Sequence, residues 1–190
     1  RLGRQLFATI PCAGKRRPVG FSQGDRATLS TWLARTASLY LRRNLRGFSP
    51  GWRKALRAQH GTGVLVQNQH PGKRVLYVDD ERALVTLSVR GLSLYGYRVT
   101  GFCDPRAALE SFKAEPQAYD AVVTDLSMPT LSGLSLVNEL RALRSAVPVI
   151  ALSGLVTDED RARCERCGVD TVLAKPFTFD HLARALDALL

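Results

Sequence analysis

From residue 73 onward, short apolar runs alternate with longer stretches in which apolar residues recur every three or four positions. Short apolar runs are typical of buried β-strands, and the periodic stretches are typical of amphipathic helices. The pattern predicts five strand-helix pairs, with strands at 74–78, 97–102, 121–124, 147–152 and 171–174. Because parallel neighbouring strands need helical crossovers, this alternation predicts an α/β fold with a parallel sheet and helices on both faces.

Several predicted helix boundaries carry capping signals. Asp104, which precedes a proline, and Ser132 are typical N-cap residues. Thr157 and Asp160 approximate a capping box, with aspartate in place of the usual glutamate. Gly168 is typical of the residue that follows a helix. The sequence therefore predicts where three helices begin and where one of them ends.

Charge is distributed unevenly along the chain, whose 190 residues have a formal net charge of +10. Residues 1–72 contain 13 Lys and Arg and one acidic residue, Asp25, whereas residues 73–190 contain 14 basic and 16 acidic residues. We therefore predict a basic N-terminal segment, 1–72, that is poorly ordered or forms short helices, and a folded domain at 73–190. A polar linker at 67–72 would join them. For the basic segment we expect a solvated face without a specific role, with an anion-binding surface as the alternative.

Composition narrows the class of protein. No run of about 18 consecutive apolar residues occurs, so the sequence predicts no membrane span. The four cysteines, Cys12, Cys103, Cys164 and Cys167, are too scattered for a disulfide-stabilised secreted fold, and we expect a cytoplasmic location. The CxxC spacing of the last two has no second pair nearby, which favours structural cysteines. We expect Cys103 in the core and His181 at the surface.

Chemically reactive side chains follow four of the five predicted strands, namely Asp79 with Asp80, Asp125, Ser153 and Lys175. The carboxyl ends of parallel strands meet at one edge of the sheet, where such folds bind ligands. Three carboxylates at one edge repel one another unless a cation neutralises them, and Mg²⁺ prefers such oxygen ligands. One carboxylate would then be a nucleophile toward phosphorus. The lysine and the serine hydroxyl would stabilise charge on the phosphoryl oxygens.

Four motifs, in this order, resemble the receiver domain of two-component response regulators. They are VLYVDDE at 75–81, DLSMP at 125–129 with Gly133, ALSG at 151–154 and KPF at 175–177. The resemblance covers residues 73–190. It implies a flavodoxin-like, five-stranded parallel sheet of strand order 2-1-3-4-5.

The resemblance also implies roles for single residues. Asp125 would be the phosphoacceptor, which takes a phosphoryl group from a histidine of a kinase or phosphotransfer protein. Lys175 would bind the phosphoryl group, Ser153 would be the switch hydroxyl, and a cis peptide bond would precede Pro176. For Mg²⁺, the resemblance implies direct binding by Asp80 and binding through water by Asp79, with Asp125 and the backbone carbonyl of Ser127 as further ligands.

Several features of the chain stay open at the level of sequence. Val172 stands where receivers often have an aromatic residue that acts as a switch. We therefore expect that the signalling output of the domain depends on Ser153 and its loop alone, or that this output is weak. The chain begins with Arg1, and we expect either a single-domain response regulator or the C-terminal fragment of a hybrid sensor histidine kinase. No kinase catalytic domain is recognisable, and whether the chain counts as an enzyme through receiver self-phosphorylation stays undecided.

The expected partner is a histidine kinase or a histidine phosphotransfer protein, with homodimerisation on phosphorylation as a further expectation. No nucleic-acid motif accompanies the basic segment, so nucleic acid is not the expected partner. A DNA-binding response regulator that uses the basic segment is the alternative. Loss of affinity for duplex DNA as salt rises would identify it.

Overall fold

The structure is a computed structural model that describes residues 70–190. The predictions made for residues 1–69 lie outside this part of the chain, and the domain boundary stays a prediction. Residues 70–72 of the predicted linker lie in a turn, in which the N–H of Gly72 donates to the carbonyl of Gly96 at 2.9 Å. Gly72 has a φ of +86°, a conformation that glycine adopts without steric cost.

In residues 70–190, five parallel strands alternate with five α-helices, as the sequence predicts. The strands are β1 (Arg74–Val78), β2 (Arg98–Phe102), β3 (Ala121–Asp125), β4 (Val149–Ser153) and β5 (Thr171–Ala174). The helices are α1 (Arg82–Leu94), α2 (Pro105–Ala114), α3 (Gly133–Leu143), α4 (Asp158–Arg166) and α5 (Phe179–Leu189), with a short 3₁₀ turn at Pro116–Ala118. The strand order β2-β1-β3-β4-β5 confirms the predicted flavodoxin-like fold.

The register of the sheet aligns the carboxyl ends of its central strands. Val78 pairs with Thr124 in β3, and Asp125 pairs with Leu152 in β4. Residues that follow these strands are therefore neighbours in space, although they are far apart in sequence. This register places the reactive side chains at one edge of the sheet.

Apolar side chains of β1 point alternately into two cores. Leu76 and Val78 pack with residues of α2, α3 and α4 on one face, and Val75 and Tyr77 pack with residues of α1 and α5 on the other. All four are 0% exposed. Burying one such aliphatic side chain contributes roughly 1.5–3 kcal/mol, so burial on both faces makes the central strands the rigid part of the domain.

The predicted capping residues are confirmed. The Asp104 side chain accepts from the N–H of Arg106, and the Ser132 hydroxyl accepts from the N–H of Ser135. Thr157 and Asp160 form the reciprocal capping box at the start of α4. Gly168, with a φ of +79°, follows the end of that helix. These local signals depend on neighbours in sequence, which is why the sequence reveals them.

Several details differ from the expectations. β2 begins one residue later than predicted, at Arg98, and β3 and β4 each end one residue later, at Asp125 and Ser153. β4 begins at Val149 instead of residue 147, since Pro148 lacks an N–H and the N–H of Val147 donates to Arg144. β5 is an edge strand whose residues are half-buried or exposed, so burial on both faces does not extend to it. Cys103 is half-buried at the margin of the core instead of within it.

His181 is exposed, as expected. The Lys175-Pro176 peptide bond is cis, as the resemblance implies. Within residues 70–190, no helix combines the length and the apolar character that crossing a membrane requires.

Candidate functional site

Three of the predicted site residues meet at the carboxyl edge of the sheet, which is the edge where the strands end. Asp79 follows β1, Asp125 is the last residue of β3, and Lys175 follows β5. The Lys175 Nζ lies 2.9 Å from Asp79 Oδ2 and 2.6 Å from Asp125 Oδ1. One lysine therefore bridges two carboxylates that come from different strands.

This three-residue cluster is shielded from solvent. The side chains of Asp79, Asp125 and Lys175 are 0%, 6% and 11% exposed, respectively. Charge interactions are screened less in such an environment than at a solvated surface, so each of them has a larger effect. The cluster carries two carboxylates against one ammonium group.

Backbone amides fix the second oxygen of each carboxylate. The N–H of Glu81 donates to Asp79 Oδ1 at 2.9 Å, and the N–H of Ser127 donates to Asp125 Oδ2 at 2.9 Å. Each carboxylate thus has one oxygen on the lysine and the other on an amide two residues ahead. The arrangement orients both groups without using side chains that would fill the site.

The surroundings alter the ionisation of the cluster. Burial raises the pKa of Asp79 to about 6, against the opposing attraction of Lys175. Burial alone would lower the pKa of Lys175, but the charge of Asp79 and the hydrogen bond and charge of Asp125 outweigh it and raise that pKa above its usual value. The lysine therefore stays charged at neutral pH, and Asp79 carries a desolvation cost.

The remaining predicted site residues lie around this cluster in different settings. Asp80 is exposed to solvent. Ser153, the last residue of β4, is 7% exposed, and its hydroxyl donates to the backbone carbonyl of Leu155 in the following loop. Its own carbonyl accepts from the N–H of Lys175 at 2.6 Å, which joins the ends of β4 and β5. Val172 is half-buried and packs against the core.

The donor set fits a hard divalent cation. Among residues 70–190, no three acidic, histidine or cysteine side chains are grouped closely enough to hold a metal ion, and the third predicted carboxylate, Asp80, is exposed. The buried pair Asp79 and Asp125 nevertheless has more negative charge than Lys175 balances, and carboxylate oxygens are the ligands that Mg²⁺ prefers.

A close backbone contact positions the segment after Asp125. Gly133 opens α3, and its N–H donates to the carbonyl of Leu126 at 3.1 Å. A Cβ at this position would lie 2.2 Å from the carbonyl oxygen of Asp125 and 2.8 Å from Leu126 Cα. Only glycine fits, which gives a physical reason for the Gly133 of the sequence motif.

Comparison with known proteins agrees with this architecture. The model of the response regulator receiver domain family matches residues 75–187. The transcriptional regulatory protein PrrA of Mycobacterium tuberculosis is 40% identical over 117 residues, which are 62% of this chain and 49% of that protein. The transcription factor SKN7 of Candida albicans is 34% identical over 113 residues, 60% of this chain and 20% of that protein. The chain thus spans about half the length of PrrA and about a fifth of the length of SKN7.

Solved structures with the same fold come from two kinds of protein. The receiver domain of sensor histidine kinase PA1611 from Pseudomonas aeruginosa PAO1, which has a magnesium ion in its active site cleft, is 36% identical, with a TM-score of 0.56 over 62% of this chain and 97% of that one. The chemotaxis protein CheY4 of Vibrio cholerae is 27% identical, with a TM-score of 0.59 over 63% and 99%. The chain therefore belongs to the response regulator receiver domain family.

Proposed function

We propose that this chain is the phosphoacceptor of a two-component phosphorelay and that Asp125 receives the phosphoryl group. The observation that carries the proposal is the Lys175 bridge between two buried carboxylates, at 2.9 Å and 2.6 Å. A buried carboxylate with a fixed cation beside it has both the nucleophile and the positive charge that phosphoryl transfer needs. Family membership supports this chemistry.

The proposed step exchanges one bond to phosphorus for another. An oxygen of Asp125 attacks the phosphorus of a phosphohistidine, and an O–P bond forms while the N–P bond breaks. The histidine nitrogen keeps the electron pair of the broken bond. Lys175 stabilises the charge that spreads over the phosphoryl oxygens, and Ser153 donates its hydroxyl to one of them after leaving the carbonyl of Leu155.

The residues that would hold Mg²⁺ are Asp79, Asp80, Asp125 and the backbone carbonyl of Ser127. When bound, the ion would neutralise part of the negative charge of the phosphoryl group and of the site. Asp79 is fixed for this role by the N–H of Glu81. Asp80 follows Asp79 directly in the chain, and its side chain is exposed to solvent.

Phosphate incorporation tests the assignment of Asp125. The full chain is incubated with Mg²⁺ and radiolabelled acetyl phosphate, and hydroxylamine-labile label on the protein is measured. Asp125→Asn should lose this label, because an amide is not a nucleophile toward phosphorus, while its circular dichroism stays unchanged. Glu110→Gln, which removes an exposed carboxylate paired with Lys113, should label like wild type. Equal labelling of wild type and Asp125→Asn would contradict the proposal.

Thermal stability tests the metal site without any phosphodonor. An ion that binds only the folded state stabilises it by about 1.4 kcal/mol at ten times its Kd. Mg²⁺ should therefore raise the melting temperature of wild type, and Asp80→Asn should need a higher Mg²⁺ concentration for the same rise. An identical Mg²⁺ response in the two proteins would remove Asp80 from the proposed ligands.

The phosphodonor we propose is a histidine kinase or a histidine phosphotransfer protein in the cytoplasm, with homodimerisation on phosphorylation as a further element. Relatives at 36–40% identity include both a receiver of a sensor histidine kinase and a transcriptional regulatory protein. The chain would act either as a single-domain response regulator or as the C-terminal fragment of a hybrid sensor histidine kinase.

A DNA-binding regulator is the second candidate. Two observations favour it, namely the similarity to PrrA, a transcriptional regulatory protein, and the 13 Lys and Arg of residues 1–72. Duplex DNA binding by the full chain, measured across a salt series, is the test. This candidate would be supported if the affinity of the full chain for DNA falls steeply as salt rises and if removal of residues 1–69 abolishes DNA binding. No binding at low salt would eliminate it.

A further inference from the structure

Helix α4 contributes a single buried side chain to the domain. Its sequence, DEDRARCER, is almost entirely charged, and Cys164 is its only buried residue, at 0% exposure. Each of the other four α-helices in residues 70–190 buries three or more residues. Cys164 belongs to the core cluster that also includes residues of α2 and α3, and it is the one buried side chain that α4 adds to that cluster.

A second cysteine lies one tight turn further along. Cys167 is the C-cap of α4, and its N–H donates to the carbonyls of both Arg163 and Cys164 at 3.1 Å. Residues three apart on a helix are neighbours on its surface. At about 1.5–2.0 Å of rise per residue, the two Cα atoms are separated by about 5–6 Å. That separation lies within the range that a disulfide bridges.

The two thiols differ in access. Cys167 is half-buried, whereas Cys164 is buried, and neither is in a disulfide. Burial raises the pKa of the Cys164 thiol, so Cys167 is the thiol that reacts first with a reagent from solvent. A metal site is not the explanation of the pair, since residues 70–190 hold no group of three metal-ligating side chains.

We propose that Cys164 and Cys167 are a modification site that a small-molecule disulfide, such as oxidised glutathione, converts reversibly into an intramolecular disulfide, and that this bond loosens α4. The Cys167 thiolate attacks one sulfur of the reagent, forms a mixed disulfide and releases one reduced thiol. The Cys164 thiolate then attacks the Cys167 sulfur and releases the second thiol. Two protein thiols are oxidised and one reagent disulfide is reduced to two thiols, which take up the two protons that the protein thiols lose.

Loosening follows from the position of Cys164. To bond with a half-buried partner at the end of the helix, its sulfur must leave the core contacts that hold α4. No other side chain of α4 is buried to compensate. The backbone hydrogen bonds of α4 should then open more often, while those of the central strands are unaffected.

Peptide mapping tests the bond in the full chain. Trypsin cleaves after Arg166, between the two cysteines, so that fragments 164–166 and 167–184 stay joined only by a disulfide. After equilibration with oxidised glutathione and alkylation under denaturing conditions, the joined pair should appear, and reduction should separate it. Cys164→Ala should instead accumulate glutathione on Cys167. Glutathione on Cys167 of the wild type, with no joined pair, would overturn the proposal.

Hydrogen exchange tests the loosening. Amides of α4 should exchange at least several-fold faster in the oxidised wild type than in the reduced one, with no such change in Cys167→Ser. Cys103→Ser, a cysteine substitution outside the pair, should behave like wild type. Exchange of α4 that is equally fast in both redox states would overturn the claim that the bond loosens the helix. This readout does not depend on phosphorylation of Asp125.

Discussion

Aspartates at the two edges of the sheet have different charge partners. At the amino edge, where the strands begin, each carboxylate has its own cation and a backbone amide. Asp120 lies 2.9 Å from Lys73 Nζ and accepts from the N–H of Arg74, and Asp170 lies 2.7 Å from Arg141 Nη2. At the carboxyl edge, Asp79 and Asp125 share one lysine.

The ionisation of two aspartates reflects this difference. Partial burial opposes ionisation of Asp120, but hydrogen bonds from Arg74 and Lys73 outweigh it and lower its pKa. For Asp79, burial dominates and raises the pKa to about 6. Ionisation of Asp120 at the amino edge therefore stabilises the folded state, whereas ionisation of Asp79 at the carboxyl edge destabilises it. Such a cost is typical of functional sites, where a ligand or a reacting group compensates for it.

The largest expected effect comes from removing the shared cation. Lys175→Met keeps most of the side-chain volume but leaves two buried carboxylates without it, and should lower the free energy of unfolding by about 3 kcal/mol at pH 8. The loss should be smaller at pH 5, where Asp79, with its pKa of about 6, is mostly protonated. Urea unfolding at the two pH values measures both numbers. Equal losses at pH 5 and pH 8 would show that packing, not charge, explains the effect.

Neutralising Asp79 should raise the free energy of unfolding, the opposite of the effect of removing Lys175. Its pKa is raised from 3.8 to about 6 in the folded state, so the folded state binds the proton more tightly. Wild-type stability should therefore fall as the pH rises from about 4 to 6, and the full cost applies above 6. Asp79→Asn should gain about 1–3 kcal/mol at pH 8 without Mg²⁺ and almost nothing at pH 4. A loss of stability at pH 8 would contradict the difference between the edges.

The same substitution at the amino edge gives the smallest effect. Asp120→Asn should lose about 0.5–1 kcal/mol at neutral pH, because a partly exposed ion pair and a charged hydrogen-bond acceptor are removed. The pKa of Asp120 is lowered, so its contribution is present above the ordinary aspartate pKa and disappears as the pH falls through the lowered value. Unfolding curves of both Asp→Asn variants, recorded side by side, should shift in opposite directions at pH 8.

Much of the fold is predictable from sequence, and the site only in part. Strand order agrees with what the resemblance implies, and the capping residues Asp104, Ser132 and Thr157 lie where local pattern places them. Asp79 and Asp80 are adjacent in one motif, yet one is buried and the other exposed. No sequence signal distinguishes them, since exposure here depends on which side of the strand end faces β3 and β5.

The pairing of charges at the amino edge has no sequence signature either. Asp120 and Asp170 are isolated residues before strands, and their partners Lys73 and Arg141 lie 47 and 29 positions away. The late start of β4 is the converse case. Pro148 is a local reason for the late start, although the apolar run that begins at residue 147 predicts an earlier one.

The sequence by itself determined the alternation of strands and helices and which reactive residues end the strands, because periodicity and capping act between neighbours. Only the tertiary structure decided that Lys175 lies between Asp79 and Asp125, 96 positions from the first of them, and that Cys164 is the one buried side chain of α4. Desolvation and Coulomb attraction depend on distance through space and on burial, and both arise only when the sheet has assembled.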